Sequence, residues 1–173
     1  MGKRPNKDLL LLLIRCTFLW LIYYLIVDRW IEQQFAFASN ICLSIAFVSQ
    51  KILHVTGLDV LRSGNLVGIH GTPGILLIDS CSGIGAMGLF LGFILAFRNN
   101  LTKRIIYSIA GLLTIYVANI QRILILILTQ AYFPNEWEIA HQYLTVIIFY
   151  LLIFALWTIW VRGFTHNTEM AID

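Results

Sequence analysis

Asp79-Ser80-Cys81-Ser82-Gly83-Ile84-Gly85 is the stretch on which the reading of the fold turns. Small and polar residues here break off one apolar run and open another, so a turn is expected to lead into a long apolar helix. The first backbone N–H groups of a helix lack internal partners, and the positive end of its dipole lies there. A thiol in that turn is therefore biased towards thiolate, the nucleophilic form. A second reading is open at this point: Cys81 as a small, buried, chemically inert residue.

Outward from that turn, composition sets the solvent. Of 173 residues, 59% are apolar and 12% charged, and the mean hydropathy is +0.81. Several apolar runs reach the length of about 20 residues that a membrane-spanning helix needs. The runs are continuous and do not alternate, which favours a helical bundle over a barrel. The expectation is an all-α integral membrane helical bundle in a single domain, residues 1–173. It has about four transmembrane helices, an amphipathic surface helix and a short extracytoplasmic hairpin. The net charge of +3 lies in short flanking clusters, which bear on orientation in the membrane lipid and not on nucleic acid. Cys16, Cys42 and Cys81 form no CxxC pair, so neither a disulfide framework nor a zinc site is indicated, and no cofactor or metal is expected.

Upstream of the turn, Lys3, Arg4 and Lys7 precede an apolar run at 9–27 that lacks a small-residue cleavage site and reads as an uncleaved signal anchor. Arg15 inside it can snorkel to the interface or serve a buried partner. Residues 31–55 carry many polar groups, while Ile31, Phe35, Ala38, Cys42, Ile45, Val48 and Ile52 recur at helical spacing. That pattern fits an amphipathic helix on the membrane surface. Residues 56–80 are punctuated by glycine. There Leu66 to Ile69 and Ile75 to Ile78 form two short strands joined through His70-Gly71-Thr72-Pro73-Gly74, with His70 a solvated turn residue.

Downstream, spans are expected at 82–97, 105–130 and 143–161. Gly88 and Gly92 make a GxxxG pair in the first of these, for close helix packing. The second is about 39 Å long and must tilt or protrude. Trp157 and Trp160 sit where a membrane interface would anchor them. The basic groups at Lys3 to Lys7, Arg98 to Arg104 and Arg162 fall on one side of the membrane if 31–55 does not cross.

Under that topology three reactive side chains meet at the opposite face. Arg122 lies about 12 Å inside the end of its helix, too deep to face lipid cheaply. Asn119 is one turn earlier, able to hold the guanidinium or a backbone group. His141 heads the last helix. A thiolate nucleophile needs a proton carrier near neutral pH, and an oxyanion needs donors. His141 could serve as the first; Arg122 and the backbone N–H groups of Ser82 and Gly83 could serve as the second. Each has a structural alternative: an interfacial histidine, and an arginine that braces the bundle or binds a lipid phosphate.

From about residue 66 to 162, the sequence resembles the exosortase/archaeosortase family of integral-membrane cysteine transpeptidases, and the compact bacterial members in particular. The motifs are Cys81-Ser82-Gly83-Ile84, Asn119-Ile120-Gln121-Arg122-Ile123 and His141. The resemblance implies Cys81, Arg122 and His141 as an extracytoplasmic catalytic set in the cytoplasmic membrane. It also implies substrate proteins whose C-termini carry a short motif, a transmembrane helix and a basic cluster, cleaved through a thioacyl intermediate and passed to an acceptor. Asp79 departs from the small or apolar residue expected two places before the cysteine, and a carboxylate there opposes thiolate formation or orients a base. Two other classes stay open, a non-catalytic scaffold and a small transporter. A serine enzyme using Ser80 or Ser82 is separable from a cysteine enzyme by a thiol reagent.

Overall fold

The computed structural model describes residues 37–96 and 100–169, with the isolated positions 14, 17, 18 and 21. Most of the expected span at 9–27, Arg15 included, lies outside the described residues. Helix α1, Phe37–Val55, comes first. A three-stranded antiparallel sheet follows in the order β1 (Val60–Ser63), β2 (Leu66–Ile69), β3 (Ile75–Leu76). A single 3-10 turn at Asp79–Cys81 then leads into α2, Ile84–Ala96. Helix α3 runs Leu101–Tyr132 and the short α4 Trp137–Ile139. A π-helical turn at Ala140–Leu144 joins α4 to α5, Thr145–Glu169. The chain is an all-α membrane bundle with a small sheet at one end. Three helices (Phe37–Val55, Leu101–Tyr132 and Trp137–Gly163) are long and apolar enough to cross a membrane, and α2 is a shorter apolar helix.

Physical causes for the boundaries are visible in the chain. The Asn100 side chain accepts from the Thr102 N–H at 3.0 Å and starts α3 four residues before the apolar run does. Arg104 then turns back and donates to the Leu95 carbonyl at 3.1 Å, capping the C-terminal end of α2 with a cation, where the helix dipole favours one. Between β1 and β2 the chain reverses at Gly64-Asn65, with Gly64 in the left-handed region at φ +59°. The strand pairing of β2 with β3 is the expected hairpin, with Leu66 opposite Leu76 and Val67 opposite Ile75; β1 is an addition. His70 is exposed in its turn.

Two cores hold the bundle. One joins Cys42, Ile45, Ala46 and Leu53 of α1 to Val60, Val67, Ile75 and Leu77 of the sheet region, and to Ile120, Ile123, Leu126 and Ile127 of α3. The buried stripe of α1 is Ala38, Cys42, Ile45, Ser49 and Leu53, so it drifts one residue from the expected Val48 and Ile52 as a 3.6-residue period requires. That stripe packs inward on protein, and the Ser44 and Tyr116 hydroxyls hydrogen-bond at 2.9 Å to tie α1 to α3. The other core gathers Phe90 and Ile94 of α2, Ile115 of α3, and Phe149, Ile153 and Trp160 of α5.

The glycine and tryptophan assignments need correction. At Gly92 an added Cβ would meet nothing, whereas at Gly111 of α3 it would overlap the Phe90 ring. The close approach of α2 and α3 therefore depends on Gly111. Trp160 is buried and packs on Tyr107 with ring centroids 4.9 Å apart, and Trp157 stacks on Phe93 at 4.5 Å. Trp160 packs inside the bundle and Trp157 is half-buried against Phe93; the Tyr107 hydroxyl adds a hydrogen bond to the Leu156 carbonyl at 2.6 Å.

Candidate active site

Cys81 is the last residue of the 3-10 turn and is buried, with 9% of its surface exposed. Its position is fixed from three sides. The Cys81 N–H donates to the Ile78 carbonyl at 2.7 Å, and the Cys42 thiol donates to that same carbonyl at 3.3 Å, so α1 touches the turn directly. The Cys81 carbonyl accepts from the Asn119 side-chain amide at 2.7 Å, a buried hydrogen bond that reaches across from α3. Ser82, also buried, donates from its hydroxyl to the Asp79 carbonyl at 2.6 Å and accepts from the Ile84 N–H at 3.3 Å, capping α2. Gly83 sits in the left-handed region at φ +78°, and a Cβ there would stand 3.1 Å from the Asn119 amide nitrogen. Only glycine fits without strain.

Those bonds decide which backbone donors remain. The Ser82 N–H is taken by the Asp79 carbonyl at 3.1 Å, so of the two donors expected beside the thiol only the Gly83 N–H is left without a partner among the described residues. The Asp79 side chain is exposed, with no hydrogen bond or ion pair there. The Cys81 thiol likewise makes no hydrogen bond.

Asn119 therefore holds the Cys81 turn, not the guanidinium. Three residues along α3 rotate a side chain by about 60° from its predecessor's line, which is enough to point Arg122 elsewhere. Arg122 lines a cavity of about 150 Å³ between α3 and α5, with Ala118, Gln121 and Ile125 on one wall and Ile148, Phe149 and Leu152 on the other. Its Nε is buried without a partner, as is the Asn119 Oδ1. A guanidinium in a largely apolar cavity with an unused donor is poised for an oxygen ligand.

His141 occupies the π-helical turn at the head of α5, and its ring stacks on Trp137 with centroids 5.0 Å apart and planes 13° from parallel. The stack fixes the ring plane. Along the bundle the residues are staggered. Arg122 is one turn, about 4.5 Å, beyond the level of Asn119 and Cys81. His141 precedes Ile148, which faces Arg122 across the cavity, by seven residues, about 10 Å. The structure brings Cys81, Ser82, Gly83 and Asn119 together; Arg122 and His141 stand successively nearer the Tyr132 end of α3. Among the described residues no group of His, Cys, Asp and Glu could hold a metal ion.

Fold and turn together define a class: a polytopic helical membrane protein in which a hairpin delivers a cysteine into the bundle against a buried asparagine of α3. The chain belongs to the transmembrane exosortase family (Exosortase_EpsH), whose sequence model matches residues 6–158. The match carries the family assignment towards the N-terminus, past the residues on which the resemblance rests. Neither curated proteins nor solved structures give a match.

Proposed function

We propose that this exosortase-type membrane protein is a cysteine peptidase and transpeptidase. Its substrates are surface proteins that end in a short motif, a transmembrane helix and a basic tail. The observation that carries the proposal is the Cys81 turn: a reactive side chain clamped through its own carbonyl by Asn119, followed by an unpaired N–H at Gly83. A structural cysteine needs no such clamp.

In the proposed reaction Cys81 Sγ forms a bond to the scissile carbonyl carbon, and the thiol proton is relayed along a chain of waters to His141, which stands about 15 Å further along the bundle. The Gly83 N–H and Arg122 receive the charge that develops on the carbonyl oxygen. The C–N bond then breaks, the imidazolium returns its proton to the departing amine, and the substrate's N-terminal part stays on sulfur as a thioester. An acceptor amine, hydroxyl or water attacks that thioester, loses its proton to His141 and restores the thiol. The stagger of the three groups requires the substrate carbonyl to enter between Cys81 and Arg122.

The supporting residues have assigned parts: Asn119 and Ser82 shape the turn, and Asp79 lies exposed where it meets incoming substrate. With α1 not crossing the membrane, the basic groups Lys3 to Lys7, Arg98 to Arg104 and Arg162 are assigned to the cytoplasm, and the sheet and Cys81 to the extracytoplasmic side of the cytoplasmic membrane. The test is mass analysis of a co-expressed substrate and of the protein itself. Cys81→Ala is expected to abolish processing, and the unaltered chain is expected to yield a thioester on Cys81. Cleaved product from an intact Cys81→Ala variant would sink the proposal.

A further inference from the structure

Among the described residues the sheet has an open edge at β3, and its register determines which backbone groups face it. Leu76 stands opposite Leu66 and Ile75 opposite Val67, while the Leu77 N–H donates to the Asn65 carbonyl at 3.0 Å. Antiparallel pairs alternate between hydrogen-bonded and non-bonded. Since Asn65–Leu77 is bonded, Leu66–Leu76 is not, and the N–H and C=O of Leu76 point away from β2. Ile78 has the same parity and is still extended, at φ −96° and ψ 170°, so its N–H points the same way.

These three groups have no hydrogen-bond partner among the described residues, and Leu76 and Ile78 are 61% and 57% exposed. The edge is closed on either side of them. At one end the Gln130 amide donates to the Gly74 carbonyl at 3.3 Å; at the other the Cys42 thiol donates to the Ile78 carbonyl. What remains is a window with a donor, an acceptor and a donor at strand spacing, ending three residues before Cys81. Unpaired strand edges recruit extended chains, and in or near a bilayer, where water is scarce, the drive to pair them is larger.

We infer that the free edge of β3 at Leu76 and Ile78 binds the substrate, taking an extended segment of the polypeptide as a fourth strand and leading it into the Cys81 turn. The inference rests on the peptidase reading above and adds to it the recognition element. Alternating donor and acceptor at this spacing is complementary to a peptide backbone, whose main-chain bonds supply affinity whatever its side chains. Gln130 and Cys42 fix the two ends of the docked segment.

Leu76→Pro tests it, because proline removes an outward N–H and leaves the bonds to β2 intact. The probe is a co-expressed reporter that the unaltered chain processes and Cys81→Ala does not. Failure to find any such reporter counts against the peptidase reading itself. Leu76→Pro is expected to slow processing about tenfold or more, with partial recovery at high reporter levels, while Leu61→Ala, an exposed change on β1, processes normally. Maleimide labelling of Cys81 without reporter should match the unaltered chain. Full processing by Leu76→Pro overturns the inference. Where labelling shows a disturbed fold, a photoreactive diazirine leucine at position 76 in Cys81→Ala decides. Crosslinking of the reporter from position 76 and not from position 62, which the β1–β2 register turns towards the opposite edge, upholds it. The reverse pattern overturns it.

Discussion

Asn119 shows how far a single residue can be read from sequence. Its place one turn before Arg122 marked it as a supporting residue, but its partner depends on the rotation of α3 against the turn, which spacing along one helix does not encode. The side chain donates to the Cys81 carbonyl and sits against Gly83. Asn119→Asp keeps the shape but turns a donor into an acceptor facing a carbonyl. It is expected to cost about 1–3 kcal/mol, read as a lower unfolding midpoint in detergent, and to change the rate at which maleimide labels Cys81. Gly83→Ala should cost about 1–2 kcal/mol from the left-handed backbone and give the same labelling change; unchanged labelling in both variants would remove Asn119 from the site. Arg122 follows different logic, since it lines a cavity with its Nε unpaired and is proposed to meet the substrate there. Arg122→Lys keeps the charge but loses the planar fork, so it should lose most processing while the protein remains folded in the membrane. Near-normal processing by that variant would return Arg122 to bracing the bundle.

Among the elements, the hairpin was legible because glycine, proline and β-branched residues mark strand and turn chemically. Strand β1 was missed although Gly64-Asn65 is itself a turn signal, because Arg62 interrupts the apolar pattern on a strand whose residues are mostly exposed. The glycine that brings helices together was misplaced for another reason: GxxxG is a property of one helix, while close packing depends on what its neighbour presents. Phe90 faces Gly111, so Gly111→Ala should destabilise the α2–α3 contact by about 1–3 kcal/mol. Adding Phe90→Leu should restore part of the loss in the same thermal measurement, and strict additivity of the two changes would disprove the contact.

For the molecule as a whole, composition alone gave the membrane class and the helical bundle, since long apolar runs leave few other solutions. It did not give the inward packing of α1, where Ser44 bonds Tyr116 and the Cys42 face meets the sheet. Orientation is a matter of charge, and the basic clusters predict that residue 100 is cytoplasmic and residue 65 extracytoplasmic. Single-cysteine labelling in a Cys-free background checks this with impermeant reagents in intact cells. Labelling of residue 100 and not of residue 65 would invert the topology and remove the site from the outer face. On this topology the length of α2 has a chemical consequence. Its thirteen described residues rise about 20 Å, and the α3 cap at Asn100 leaves room for no more than about one further turn, against a hydrocarbon core of about 30 Å. The sulfur ester would thus form below the headgroup plane, where water is dilute and hydrolysis slow. Its lifetime is then set by the arrival of an acceptor from within the bilayer. A long-chain amine should capture it faster than a short amine of equal basicity, and equal capture would mean that water reaches Cys81 freely.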